Sequence, residues 1–195
     1  MVLGKQHPHY GQSLTGLALT YFRLGNYAKA ESLYLEGISI KEKVLGKDNP
    51  GYAISLVNLA NLYFHLKNFE KAEPLFIEAN EIIEKTYGKE HFEYAFSLHN
   101  LAKFFKSAGK IEKAEQGLLE SMSICERTLG KENYLYSGNL SILAELYMDS
   151  GNFAKAEPLL INSKSIDENV LGKEHPDYTI SSSNLSNLYE AQRRF

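Results

Sequence analysis

The chain has 195 residues, 44% hydrophobic and 23% charged, with a net charge of -3. That is too apolar for a disordered tail and too short of apolar runs for a membrane span, which needs roughly 18 consecutive residues. The mild negative charge gives no electrostatic case for nucleic acid, and the single cysteine, Cys125, excludes an internal disulfide and a cysteine zinc site.

The string LGK recurs at Leu3, Leu45, Leu129 and Leu171, and Tyr87 opens the variant YGK. Every step is 42 residues, and segments 45–86 and 129–170 share 20 of 42 positions. The chain therefore reads as one array of units 3–44, 45–86, 87–128 and 129–170, with a partial unit 171–195. Each unit reads as two helices. In the second, Leu56, Leu59, Ala60, Leu62 and Tyr63 recur at helical spacing, which predicts a first helix over about 51–66. Asp48 or Asn49 is its N-cap and Pro50 opens its first turn. Asn68 caps a second helix carrying Phe69, Ala72, Leu75, Phe76, Ala79, Ile82 and Ile83, with Pro74 inside it as a slight kink; Pro158 does the same in the fourth unit. Gly46, Gly88, Gly130 and Gly172 stand where a helix needs a left-handed terminal residue.

Small residues repeat in phase: Ala18, Ala60, Ala102, Ala144 and Ser186 on first helices, and Ala30, Ala72, Ala114 and Ala156 on second helices. They let paired helices approach closely, while Tyr63, Phe105, Tyr147 and Tyr189, with Tyr52, Tyr94, Tyr136 and Tyr178, fill the core. The C-terminal end reads two ways. Phe195 falls in phase with Tyr27, Phe69 and Phe153, which suggests truncation from a longer array whose last helix pairs with another chain through Leu185, Leu188 and Tyr189. Ser181, Ser182, Ser183 and Ser186 instead suggest a polar cap.

Leu59, Ala60 and Tyr63, followed by Phe69, Ala72, Phe76 and Ala79, resemble the signature of a tetratricopeptide repeat, and the 42-residue form is similar to the repeats of kinesin light chain. The resemblance implies an all-α, right-handed α-solenoid of antiparallel helix pairs, about nine helices, with first helices lining a concave groove. The residues that the groove would present to a peptide are Asn58, Asn61, Phe64 and His65, then Phe96, His99, Asn100 and Lys103, then Asn184 and Asn187. Amides can pair with an extended backbone and aromatic rings can hold a side chain. In the resembling family an Asn-Leu-Ala on the first helix faces ligands; Asn58-Leu59-Ala60 and Asn100-Leu101-Ala102 match it, and Ile142 departs from it. Basic residues that would favour acidic cargo are few, only Arg23, Lys103 and Lys106. Phe96 and Asn100 stand where a two-carboxylate clamp needs Lys and Arg.

Chemistry is not expected. His7, His91 and His175 share one linker position with Asn49 and Asn133, which makes them caps or turn groups rather than metal ligands. Each GK is followed by Asp or Glu, so no phosphate loop forms. Glu112 with Glu115, and Glu81 with Glu84, read as solvated helix faces. No cofactor is implied. The expected function is a non-enzymatic, cytoplasmic adaptor binding a protein or peptide partner, with neither nucleic acid nor membrane. The alternative is the regulatory arm of an enzyme, such as a caspase-like peptidase or signalling protein, whose catalytic domain lies outside this chain.

Overall fold

A computed structural model describes residues 8–193, and His7, Arg194 and Phe195 lie outside that range. Among the described residues there are nine helices and no strand. They are α1 (Pro8–Arg23), α2 (Tyr27–Leu45), α3 (Pro50–His65), α4 (Phe69–Tyr87), α5 (Phe92–Ser107), α6 (Ile111–Thr128), α7 (Tyr134–Asp149), α8 (Phe153–Val170) and α9 (Pro176–Gln192). The fold class is all-α, built from repeated helix hairpins, and the chain divides into two compact units, Met1–Gly88 and Lys89–Phe195. Unit 1 holds the hairpins α1–α2 and α3–α4; unit 2 holds α5–α6 and α7–α8, with α9 packed on α8.

The boundaries follow from capping. First helices begin behind Asn49, His91, Asn133 or His175, each of which accepts a backbone N–H of the first turn through Oδ1 or Nδ1. His and Asn exchange there because both offer one short-reach acceptor to an otherwise orphaned donor. At the α3 start the cap is Asn49, not Asp48. Second helices begin behind Asn26, Asn68 and Asn152, while Lys110 supplies no side-chain cap to α6. Gly46, Gly88, Gly130 and Gly172 close the second helices at φ near +80°. The helices α4 and α8 run on through Pro74 and Pro158 without a break. Inside the hairpins, the turn position takes a left-handed glycine at Gly25, Gly109 and Gly151, but Lys67 holds it at φ 56° in the α3–α4 turn, a conformation that costs an L-residue about 1 kcal/mol.

Two sets of small residues set the hairpin spacing. Ala18 and Ala30, Ala60 and Ala72, Ala102 and Ala114, and Ala144 and Ala156 are all 0–1% exposed. A second set of small residues, also recurring every 42 residues, pairs positions 26 apart at Gly11–Gly37, Ala53–Ala79, Ala95–Ser121 and Ser137–Ser163, all of it buried. A Cβ on Gly37 would stand 3.1 Å from Gly11 O, so the α1–α2 crossing is close enough to need glycine. At the corresponding α7–α8 crossing, Ser163 Oγ donates to Ser137 O at 3.1 Å, while Ser137 Oγ, 3.2 Å from Ser163 O, gives its one proton to Asp167 Oδ1. Ser186, with no second helix beside it among the described residues, is exposed.

Between hairpins the repeating tyrosine of the first helix bonds a glutamate of the preceding second helix. Tyr63 Oη donates to Glu31 at 2.6 Å and Tyr147 Oη to Glu115 at 2.7 Å. The Glu115 bond, with burial behind it, pushes the Tyr147 phenol up to about 12. In α9, Leu188 is fully buried in the core with Ala144, Ala156 and Leu160, Leu185 is half-buried against it, and Tyr189 is 40% exposed.

Candidate functional site

Unit 2 carries a groove of about 350 Å³ walled by α5, α7 and α9, with the end of α8 behind it. Helices α5, α7 and α9 are three successive first helices, so equivalent turns lie side by side. His99, Lys103, Lys106, Ser141, Ile142, Glu145 and Ile180, all at inward positions by sequence, line it. Ser137, Gly138, Tyr134, Asp167 and Asp177 complete the wall.

The centre of the groove is held by a polar chain. Ser121 Oγ donates to Ala95 O at 2.7 Å and accepts from Asn139 Nδ2 at 2.8 Å. Asn139 Oδ1 therefore faces His99 Nδ1, 2.8 Å away, as acceptor, and Nδ1 carries the imidazole proton. Burial, ahead of every other cause, holds this imidazole below its ordinary 6.5. Gly138 leaves it room, since a Cβ there would meet His99 Cε1 at 3.2 Å. Phe96, 38% exposed, stacks on the same ring at 6.4 Å between centroids.

Charge is distributed unevenly along the groove. Lys106 Nζ pairs with Glu145 Oε2, and Asn184 Nδ2 donates to Glu145 Oε1 at 3.0 Å, so α5, α7 and α9 are laced together. Lys103, exposed, has no ion pair among the described residues. At the opposite end sit Asp177, exposed in the first turn of α9, and Asp167, 4% exposed near the end of α8.

Unit 1 carries its own groove, of about 430 Å³, lined by Gln12, Thr15, Leu19, Ile54, Asn58 and the buried Lys41. Lys41 Nζ donates to Ser55 Oγ at 2.7 Å and Gly51 O at 3.1 Å, and burial lowers its pKa.

Of the residues singled out from sequence, Asn58 lines the unit 1 groove and His99 and Lys103 line that of unit 2. Asn61 is exposed and Asn100 half-buried. Phe64 packs toward Phe69 at 6.1 Å, while His65 accepts or donates at Tyr27 Oη, 2.9 Å away, edge-on to Phe22. Asn184 is engaged with Glu145, and Asn187 lies instead in a shallow groove with Lys173, Tyr178 and Ser182. Inward register on the first helices does not reach Lys41 and Asp167. They share one repeat position with Ile83 and Cys125, and ionisable residues at an otherwise apolar position are the signal that marks them. Cys125 is fully buried, which pushes its thiol up to about 11. Among the described residues no group of three His, Cys, Asp or Glu is placed to hold a metal, and no helix is long and apolar enough to cross a membrane.

Comparison with known proteins bears on fold and family. No curated protein sequence matches the chain. Among solved structures it is similar to the nearly identical TPR-like repeats of a kinesin light chain-like protein from Podosopora anserina: 27% identical, covering 96% of this chain and 89% of that one, TM-score 0.78. A single-site variant of the same repeats is 26% identical over 99% of this chain and 90% of that one, TM-score 0.79. BtubC (BKLC) from P. vanneervenii is 25% identical over 89% of this chain and 69% of its own, TM-score 0.76. The apo form of RapI, 18% identical over 95% of this chain and 65% of its own with TM-score 0.78, shares the fold alone. Tetratricopeptide repeat profiles match residues 51–127 and 135–195, and a second such profile matches 11–51. With paired helices in phase every 42 residues and profiles covering most of its length, the chain belongs to the tetratricopeptide repeat family.

Proposed function

We propose that the chain is a protein-interaction scaffold that holds a segment of a partner protein against its first helices, without catalysis. The observation that carries this reading is the unit 2 groove, whose walls leave Lys103 and Ile180 open to solvent above a buried polar floor, with Phe96 stacked on the His99 ring beside it. Phe96 and Ile180, 38% and 54% exposed, offer apolar contact, and Lys103 offers an unpaired charge. Asn100, half-buried on α5, supplies an amide for a backbone, Asn187 would do so only from the neighbouring shallow groove, and His99 and Asn184 are engaged with neighbouring side chains and shape the wall. In unit 1, Asn58, Asn61, Phe64 and His65 play the corresponding part. Two side chains support the non-catalytic part of this reading: the Cys125 thiol is buried and raised, and the His99 Nδ1 proton is committed to Asn139.

The test is affinity selection of displayed random peptides on the full chain, followed by binding of the recovered peptides to variants. Asn100→Ala with Lys103→Ala should weaken them at least tenfold, about 1.4 kcal/mol, with helical content unchanged. Asn58→Ala should act likewise on peptides that occupy unit 1. Peptides that bind both variants as well as the parent, and protect second helices or linkers from hydrogen exchange, would overturn the groove assignment.

A further inference from the structure

Among the described residues that line the unit 2 groove, Asp167 is the buried charged group without an ion pair, whereas the unpaired Lys103 is exposed to water. Asp167 is 4% exposed, yet it lines the groove. Its only hydrogen-bond partner among the described residues is the hydroxyl of Ser137, which also sits 3.0 Å from Ser163 Oγ. No Lys, Arg or His among the described residues pairs with it. A buried carboxylate served by one hydroxyl is poorly solvated, and a cation arriving from outside restores what burial removes.

The surroundings suit such a cation if it comes on a flexible stem. Tyr134, 48% exposed, opens α7, and Ile180, 54% exposed, lines the same groove from the first turns of α9, as does Asp177. The lining thus combines an exposed aromatic ring and an exposed aliphatic side chain with two carboxyl groups, one buried and one at the surface. Lys103 and Lys106 stand ten and thirteen residues further along the helix register than Asp177 does, about 15–20 Å away, and Lys106 is already paired with Glu145. Unit 1 provides the contrast. The equivalent position is Lys41, in a groove whose lining contains no acidic residue.

Resting on the groove reading above, we propose that Asp167 is the floor of a subsite that takes a basic side chain, arginine or lysine, of the bound protein segment. Its stem passes between Tyr134 and Ile180, and its charged head meets Asp167 with Asp177 at the rim. Arginine suits the site best, because its planar fork can serve two carboxylates at once.

The probe is Nα-acetyl-arginine amide, titrated into the isotope-labelled full chain and followed by backbone amide shifts. Nα-acetyl-citrulline amide, of the same size and without charge, is the control. Saturable shifts at Gly138, Asp167, Asp177 and Ile180 with arginine, absent with citrulline, are expected. Asp167→Asn keeps an acceptor for Ser137 and should weaken the arginine effect at least tenfold; Asp177→Asn, at the surface, should weaken it about threefold. Among displayed peptides, a basic residue at one fixed position should be enriched on the parent and lost on Asp167→Asn. Arginine shifts scattered over the surface and unchanged in Asp167→Asn, or equal shifts with citrulline, would overturn the subsite. Peptides that need Asn100 and Lys103 but carry no basic residue would overturn it while the groove reading stands. Peptides indifferent to Asn100 and Lys103, beside Asp167-dependent arginine binding, would overturn the groove reading and with it the peptide as source of the cation.

Discussion

In unit 1 the ionisable group buried beneath the first helices is the ammonium of Lys41; in unit 2, three repeats later, it is the carboxyl of Asp167. The difference traces to the hairpin crossings. Gly11 and Gly37 have no side chains to offer, so Lys41 reaches forward to Gly51 O and Ser55 Oγ on the next first helix. Ser137 and Ser163 do have hydroxyls, so Asp167 turns back onto its own hairpin. The same backbone therefore tolerates opposite charges because hairpin stability comes from the small-residue crossings and buried rings, and the charge needs only one or two local partners. What is common to the repeats holds the fold. What varies gives each groove its own chemistry.

The largest test bears on the common part. Ala60→Leu in unit 1 and Ala102→Leu in unit 2 should each destabilise by about 1–3 kcal/mol, read as a shift in denaturation midpoint. Ala60 is 0% exposed, and a Cβ on Gly117 would already lie 3.4 Å from Ala102 Cβ. A variant in either unit that melts within one degree of the parent would break the claim that both are packed alike. The next test bears on the difference. Lys41→Met removes a buried ammonium while leaving Ser55 Oγ its bond to Gly51 O, 3.1 Å long, and should stabilise by about 1 kcal/mol. A loss of stability would mean that Lys41 is an essential strut, not a variable group.

The smallest effect sharpens the polar chain of unit 2. Because burial holds the folded His99 imidazole below 6.5, the unfolded chain binds the extra proton first as pH falls. The contribution of His99 is thus fully present above about 6.5 and is lost as pH drops from there through the folded value. The stability difference between the parent and His99→Asn should accordingly shift against the parent between pH 7.5 and 5. A difference flat across that range would show that the imidazole is not held neutral by the α5–α7 packing.

Much of the fold is legible in the sequence because it is written once and repeated. The exchange of His91 and His175 for Asn49 and Asn133 marks a capping position by residue type alone, since only a short acceptor suits all four. The strain at Lys67 is not legible in that way: Gly25, Gly109 and Gly151 at the same phase point to a left-handed turn, but only the φ of 56° shows that lysine adopts it too. The site is legible in outline. Inward positions on first helices do line the grooves, but Lys106 and Asn184, open by register alone, are both taken up by Glu145. Asp167 escapes such a reading because it belongs to a second helix, and only the end of that helix comes through to the groove floor.

The short reach of these contacts has a consequence in time. His99 meets Asn139 at 40 residues' separation and Lys106 meets Glu145 at 39, while each hairpin closes across a turn of three residues. A chain wired at such close range need not wait for its far end. As it leaves the ribosome, each hairpin can close once its second helix has emerged, and within unit 1 or unit 2 about half a repeat more brings the next first helix against it.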